Sequence, residues 1–286
     1  MKKLVIIGRG PAGISAALYA VRGGADTTLI AKDGGALAKA DLIQNYYGFE
    51  NGISASELIA RGVKQAENLG VKLVNDEIAG IEFGENGYIV KTIGGEYEAG
   101  AVIIACGVSR NVPPIRNIQD FEGRGVSYCA VCDGFFFRGK KVAVIGSGKY
   151  ALSEYGVLKN IIDDVTIYTN GESPSFDSAG VRMETKKILA FEGQEKVGEI
   201  VFEDGSKESV DGVFVACGSA GAFELSKKLG LEITGNKIAV NERRETNIPG
   251  IYAAGDCTPG LQQIAKAVYD GMIAGTEALK YLKANA

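Results

Sequence analysis

Two stretches far apart in the chain carry the same order of apolar and polar positions. "KKLVIIGRGPAGISAALYA", starting at Lys2, and "KKVAVIGSGKYALSEYGVL", starting at Lys140, each pass from a basic pair through a short apolar run to a glycine turn. Both then continue with apolar positions at helical spacing. A continuous apolar run bounded by turn signals reads as a buried strand, and the periodic segment after it as an amphipathic helix. A second pair of runs repeats as well: "AVIIACGVS" from Ala101 and "GVFVACGSA" from Gly212 are apolar strands that end on the same Ala-Cys-Gly. Just ahead of the first of these, the alternating stretch "GIEFGENGYIVKTIGGEYEAG" from Gly80 predicts antiparallel strands joined by glycine turns.

One strand, turn and helix plan thus occurs twice. "RNVPPIRN", Arg110 to Asn117, contains Pro113-Pro114, which can continue neither a helix nor a central strand and reads as a linker. A matching return lies at "NERRETNIPG", Asn241 to Gly250, and the tail after it predicts a strand, a glycine turn and a long helix. The expected fold is α/β, with two Rossmann-like domains of the two-dinucleotide-binding flavoprotein type, the second inserted in the first. Their expected bounds are 1–112 plus 245–286 and 113–244.

Composition narrows the function classes. The 286 residues carry 31 basic and 35 acidic side chains, a formal charge of −4, and no clustered Lys/Arg run of the kind that neutralises phosphates. No nucleic-acid partner is expected, and pairs such as Lys140-Lys141, Lys186-Lys187 and Arg243-Arg244 read as solvated faces. No apolar run approaches a membrane span, and "MKKLVIIGRG" is too short in apolar residues for a signal peptide, so a cytoplasmic protein is expected. Histidine is absent, which excludes His-based acid–base chemistry, Cys–His nucleophile pairs and imidazole-ligated zinc. Five cysteines, an odd count, argue against a structural disulfide framework.

The first glycine turn, "GRGPAG", has Gly8, Gly10 and Gly13 in G-x-G-x-x-G spacing between a predicted strand and helix. Gly8 allows the tight turn, Gly10 the approach of a pyrophosphate, and Gly13 close packing, while the helix N-terminus supplies partial positive charge. The acidic ribose contact expected at the end of the next strand is missing. "TTLIAKDGG" places Ala31 and Lys32 there, with Asp33 just beyond, so either Asp33 or backbone alone would hold the ribose. The late "GIYAAGD" resembles the second FAD motif of flavoprotein reductases, which would put Asp256 on the ribityl chain and Gln263-Ile264 at the flavin.

"SYCAVCDG" sets Cys129 and Cys132 at Cys-x-x-Cys spacing. Two such thiols close a small-loop disulfide, and a following helix favours a thiolate nucleophile. Asp133 beside them is the acid–base candidate in a chain without histidine. A zinc site would need a second close Cys pair, and no metal site is expected. Cys106, Cys217 and Cys257 read as small packing residues.

Taken together, "GRGPAG", the Gly34-Gly35 turn, "IQNYYGF", "CAVCDG" and Ala253 to Asp256 make the chain resemble the low-molecular-weight thioredoxin reductases over nearly its whole length. The resemblance implies FAD, a homodimer, thioredoxin as substrate, and an inserted domain that rotates to turn its disulfide from the flavin toward thioredoxin. Cys132 would lie nearer the flavin and Cys129 would attack thioredoxin. The cofactor positions it implies are Gly8, Gly10, Pro11, Ala12, Gly13, Lys32, Asp33, Gly35, Ala36, Leu37, Asn45, Ala105, Cys106, Gly107, Gly255, Asp256, Gln263 and Ile264.

The second turn departs from the pattern. NADPH-dependent members resemble "GGGDSA" there, followed by a His-Arg-Arg cluster on the next strand; this chain has "GSGKYA", with Lys149 and Tyr150, and no Lys or Arg between Lys159 and Arg182. A 2′-phosphate there would lack charge-assisted partners worth about 1.5–3 kcal/mol each. NADH through Glu172 is the remaining nicotinamide alternative. The chain looks most like the ferredoxin-dependent flavin thioredoxin reductases, which lack the NADPH motifs. A plant-type ferredoxin near −400 mV and thioredoxin near −270 mV differ by about 130 mV in the required direction. A non-catalytic flavin redox-sensing module or a ferredoxin–NADP reductase relative is the alternative from another class, and the Cys pair separates them.

Overall fold

The computed structural model describes residues 3–32, 35–39, 42–107, 112–128, 130–217, 221–235 and 237–285. It divides into two units, Met1–Arg110 with Gly221–Ala286, and Asn111–Ala220.

In the first unit, strand β1 (Lys3–Ile7) runs into the glycine turn and helix α1 (Pro11–Arg22), which returns to β2 (Asp26–Ile30). Helix α2 (Ala55–Asn68) leads to β3 (Lys72–Val74), and an antiparallel meander of β4 (Ile78–Gly84), β5 (Gly87–Thr92) and β6 (Glu96–Ala99) leads to β7 (Ala101–Ile104). Each central strand is apolar on both faces because helices cover the sheet, as parallel sheets require. Leu4, Ile6, Leu29 and Ile103 join Ala16, Ala17 and Ala20 of α1 in one buried cluster.

The second unit repeats the plan. β8 (Val126–Ser127) precedes α3 (Ala130–Asp133), β9 (Lys141–Ile145), the second glycine turn and α4 (Lys149–Lys159). Then come β10 (Asp164–Tyr168), β11 (Met183–Glu184), a meander of β12 (Ile188–Gly193), β13 (Val197–Phe202) and β14 (Lys207–Ser209), and β15 (Gly212–Val215). Helix α5 (Ala222–Leu229), β16 (Ile251–Ala253) and the long helix α6 (Ile264–Ala284) complete the first unit. The two sheets, in orders β16-β7-β1-β2-β3 and β8-β15-β9-β10-β11, are parallel throughout.

The repeat holds at the level of single hydrogen bonds. Gly8 N donates to Ile30 O at 2.9 Å and Ala105 N to Ile7 O at 2.8 Å; in the second unit Gly146 N donates to Tyr168 O at 3.0 Å and Ala216 N to Ile145 O at 2.8 Å.

The units divide at 220/221, whereas the sequence placed the return at 244/245. Segment 221–244 packs on the first unit: Lys228 Nζ of α5 donates to Ala79 O at 3.1 Å, and Asn247 ties Glu232 N and Gly230 O. The turn signals after Asn241 mark a loop inside that unit, where Asn241 Oδ1 accepts from the amides of Arg243 and Glu245.

Candidate functional site

Sterics dictate the first glycine turn. Gly8 has φ of +110°, and a Cβ there would stand 2.3 Å from Ala105 O; one on Gly13 would stand 1.9 Å from Gly8 O. A Cβ on Gly10, by contrast, would meet nothing within 4 Å. Gly10 is the extended N-cap of α1, Pro11 follows it, and no acidic residue stands in the first turn, so the amides there face open space with their partial positive charge uncompensated.

The late Ala-Gly-Asp turn lies against this helix start. Gly255 (φ +83°) would place a Cβ 2.8 Å from the Ala12 Cβ, and Cβ atoms on Gly271 and Gly275 of α6 would press on Ala12 O at 2.1 Å and Ala16 O at 2.4 Å. Helices α1 and α6 thus touch backbone to backbone, and Ser15 Oγ donates to Val268 O at 2.7 Å. Asp270, fully buried in α6, accepts from Gly255 N at 3.1 Å and pairs with Lys266 at 2.8 Å. Arg244 Nε lies 3.0 Å from its other oxygen, a close ion pair without the alignment of a hydrogen bond. Lys266 Nζ also donates to Gly255 O at 2.7 Å. The turn is therefore held rigidly from beneath, with Asp256 partly exposed and Lys237 Nζ donating to its carbonyl.

Several positions named from the sequence come together here. Asn45 Nδ2 donates to Gln263 Oε1 at 3.0 Å, and Leu37 and Ile264 pack on one small cluster around Ile43 and Ile53. Ala105 is buried, whereas Cys106 and Gly107 are part-exposed beyond the end of β7. Lys32 pairs with Glu77 at 3.1 Å. Asp33 lies outside the described residues, and the side chain of Ala36 is likewise not described; Gly35 has φ of +66°. The sequence did not single out Glu77 or Arg9. Glu77 Oε1 and Arg9 Nε are buried with no hydrogen-bond partner among the described residues, and the Glu77 side chain is only 12% exposed.

In the second unit, Cys129 lies outside the described residues, and Cys132 lies in α3 with its side chain not described. Their surroundings are well defined. Ser127 Oγ donates to Asp133 Oδ2 at 2.5 Å, and Ala130 N donates to Oε2 of buried Glu154 at 2.9 Å. Gly134 lets this segment approach α4, since a Cβ there would meet Leu158 at 2.9 Å and Ile161 at 3.0 Å. Phe137 packs edge-on to Phe214 at 5.5 Å. Cys217 and Cys257 are packing residues, as their sequence context implies. Each sulfur hydrogen-bonds to backbone carbonyls, and burial pushes both thiols up to about 12.

The second glycine turn keeps the backbone of the first, and a Cβ on Gly148, the counterpart of Gly10, would meet only Ser175 Oγ, at 4.0 Å. A Cβ on Gly146 (φ +153°) would meet Ala216 O at 2.4 Å, matching Gly8 and Ala105. Here, though, Ser147 Oγ donates to Glu172 Oε2, Ser175 N donates to Ser147 O at 2.8 Å, and Tyr150 is buried. The segment after β10 folds onto the turn and sets a carboxylate beside it. Arg182, the first basic residue downstream, is paired with Asp164 at 2.6 Å. Among the described residues no group of His, Cys, Asp and Glu could hold a metal ion, and no helix is long and apolar enough to cross a membrane.

Two parallel sheets with matching glycine turns, and a Cys-x-x-Cys segment built onto the second, define a two-dinucleotide-fold disulfide reductase. The model of the family described as "Pyridine nucleotide-disulphide oxidoreductase" matches residues 2–271. The thioredoxin reductase of Bacillus subtilis (strain 168) is 34% identical over 299 residues, covering 98% of this chain and 94% of that protein. Among solved structures, the atypical thioredoxin reductase TRi from Desulfovibrio vulgaris Hildenborough is 42% identical with a TM-score of 0.92, covering 99% of both chains. A ferredoxin-flavin thioredoxin reductase from Clostridium acetobutylicum is 31% identical with a TM-score of 0.74, covering 99% of this chain and 98% of its own. The chain belongs to the pyridine nucleotide-disulphide oxidoreductases and, within them, to the thioredoxin reductase family. Thioredoxin reductases of this family bind FAD.

Proposed function

We propose that this protein reduces the disulfide of thioredoxin through FAD and the Cys129–Cys132 pair, and that its electrons come from reduced ferredoxin rather than from a nicotinamide. The first unit fits the cofactor. The open ground before Gly10 suits a pyrophosphate on the α1 amides. Asn45 and Gln263, hydrogen-bonded to each other, and Asp256 offer further polar groups for the cofactor. The buried Glu77 Oε1 offers the hydroxyl acceptor missing at Ala31, and Arg9 Nε offers a donor within the glycine turn. When bound, FAD supplies the exchange between a one-electron donor and a two-electron disulfide.

The chain's own residues carry the rest. Reduction of the Cys129–Cys132 disulfide takes two electrons and two protons. Cys129 then attacks the thioredoxin disulfide, forming a mixed disulfide and releasing one thioredoxin thiol. Cys132 displaces the second thiol and re-forms the pair. Asp133, oriented by the Ser127 hydroxyl, holds and delivers the proton beside Cys132.

The observation that carries the donor assignment is the second turn: the position a dinucleotide phosphate would take is faced by Glu172, and the first basic residue downstream, Arg182, is paired with Asp164. Bringing a phosphate against that carboxylate adds like-charge repulsion to the loss of the serine hydrogen bond. Anaerobic titration tests this: reduced ferredoxin bleaches the flavin at stoichiometric amounts, and NADPH or NADH does not. The family's own description favours a nicotinamide as the second reading, and stoichiometric bleaching by NADPH or NADH would replace the first with it.

A further inference from the structure

We propose that Glu154 is a positioning residue that keeps the Cys129–Cys132 pair strongly reducing, by placing a carboxylate on the amide that follows Cys129. The proposal rests on the redox role given to that pair above.

Glu154 sits on α4, the helix that follows the second glycine turn, and its residue is 3% exposed. Its Oε2 accepts from Ala130 N at 2.9 Å. Ala130 is the first residue of α3 and is bonded directly to Cys129, so covalent geometry holds the carboxylate within several ångströms of the Cys129 backbone. The contact is not incidental to a loose surface. Gly134 lies flush on Leu158 and Ile161, so α3 and the turn after it are seated on α4 and the residues that follow it.

Free amides at the start of a helix, like nearby cations, stabilise a cysteine thiolate and with it the reduced form of a dithiol. Glu154 takes up one of those amides and adds negative charge, and both effects disfavour the thiolate. Among the described residues, the other charged groups near the segment are acidic or engaged elsewhere. Asp133 is itself acidic and is bound by Ser127, Glu122 accepts from Tyr128, and the Lys159 ammonium is engaged by Asp163 O at 2.6 Å. Lys149 is exposed at the far end of α4. A pair whose reduced form gains little from thiolate formation gives its electrons away more readily, as a thioredoxin reductant must. The helix after a turn that no longer holds a nucleotide thereby retains a task in the chemistry.

The test uses the FAD-loaded protein equilibrated anaerobically in mixtures of reduced and oxidised dithiothreitol. The reaction is protein disulfide plus dithiothreitol giving protein dithiol plus oxidised dithiothreitol, and the fraction reduced is read by acid quench, alkylation and peptide mass. Glu154→Gln keeps an acceptor oxygen for Ala130 N but removes the charge. Measured at about pH 9 or above, where thiolate is populated, it should shift the equilibrium toward the dithiol by up to about tenfold, equivalent to about 30 mV toward a less negative potential. An unchanged potential, or a shift the other way, overturns the proposal.

A second measurement needs no variant. The pH profile of alkylation of the reduced wild-type pair should have its midpoint at or above the ordinary cysteine range of about 8.5, whereas a midpoint near 7 overturns the proposal. A wild-type pair that forms no disulfide at all in oxidised dithiothreitol removes the dithiol reading, and Glu154's role with it. That outcome is distinct from a disulfide that forms but is indifferent to Glu154.

Discussion

Glu77 shows what a single buried oxygen can demand. One carboxylate oxygen is satisfied by Lys32 at 3.1 Å and the other is buried without a partner among the described residues, an arrangement that a ligand hydroxyl would complete. Glu77→Ala should therefore weaken FAD binding to the apoprotein by about 10- to 100-fold, the range of a charge-assisted hydrogen bond. FMN, which lacks the adenosine, should bind both proteins alike, and isothermal titration with the two flavins checks this. Cys217, half-buried, and Cys257, buried, make the opposite case, groups that should stay silent. With both thiols raised to about 12, neither should be alkylated in the native protein at pH 8, though both react in denaturant; peptide mapping reads the difference. Because each folded value exceeds the ordinary one near 9, their contribution to stability is intact below pH 9. It is lost as the pH rises toward 12, where the unfolded thiols ionise first. Gly8, Gly10 and Gly13 were legible in the sequence because their spacing between strand and helix is a property of neighbouring residues. Glu77 and Arg9 were not, since what marks them is burial created by distant segments folding around them.

At the scale of elements, the glycines divide into those that serve the fold and those that serve the ligand. Gly271 lets α6 lie on α1, and an added Cβ would stand 2.1 Å from Ala12 O, backbone that cannot swing aside. Gly271→Ala should cost about 1–3 kcal/mol and lower the melting temperature by several degrees. Gly10→Ala meets no atom within 4 Å and has an ordinary φ of −79°, so the apoprotein should melt within about a degree of wild type while FAD binding is impaired. Equal losses of stability from the two variants would contradict this division. The repeated strand, turn and helix units were readable because period and glycine spacing are properties of neighbouring residues. The membership of 221–244 was not, because α5 is held to the first unit by contacts such as Lys228 with Ala79, which no local pattern encodes.

For the whole molecule, the repeated plan has produced two turns of the same backbone, of which the proposed function uses one as a nucleotide site. Gly8 against Ala105 and Gly146 against Ala216 are superposable in their logic, and in each unit the following helix points its amides at the turn. What separates them is the carboxylate that the second unit sets beside its turn: Glu172 accepts from Ser147 Oγ there, and Ser175 N donates to Ser147 O. A helix N-terminus attracts anions, but a carboxylate of the chain's own already faces this one, and a dianionic phosphate must displace it without arginine in return. The protein should consequently bind one dinucleotide per chain. Native mass spectrometry of the holoprotein should show one FAD and no further adduct in excess NADPH, NADH or ADP, and equilibrium dialysis should place any second nucleotide in the millimolar range or weaker. Glu172→Ala alone should not create an NADPH site, because it removes the repulsion without supplying the missing cations. A second nucleotide bound at micromolar concentration by the wild-type chain would show that the segment after β10 opens, and the electron source would then have to be sought in the nicotinamides.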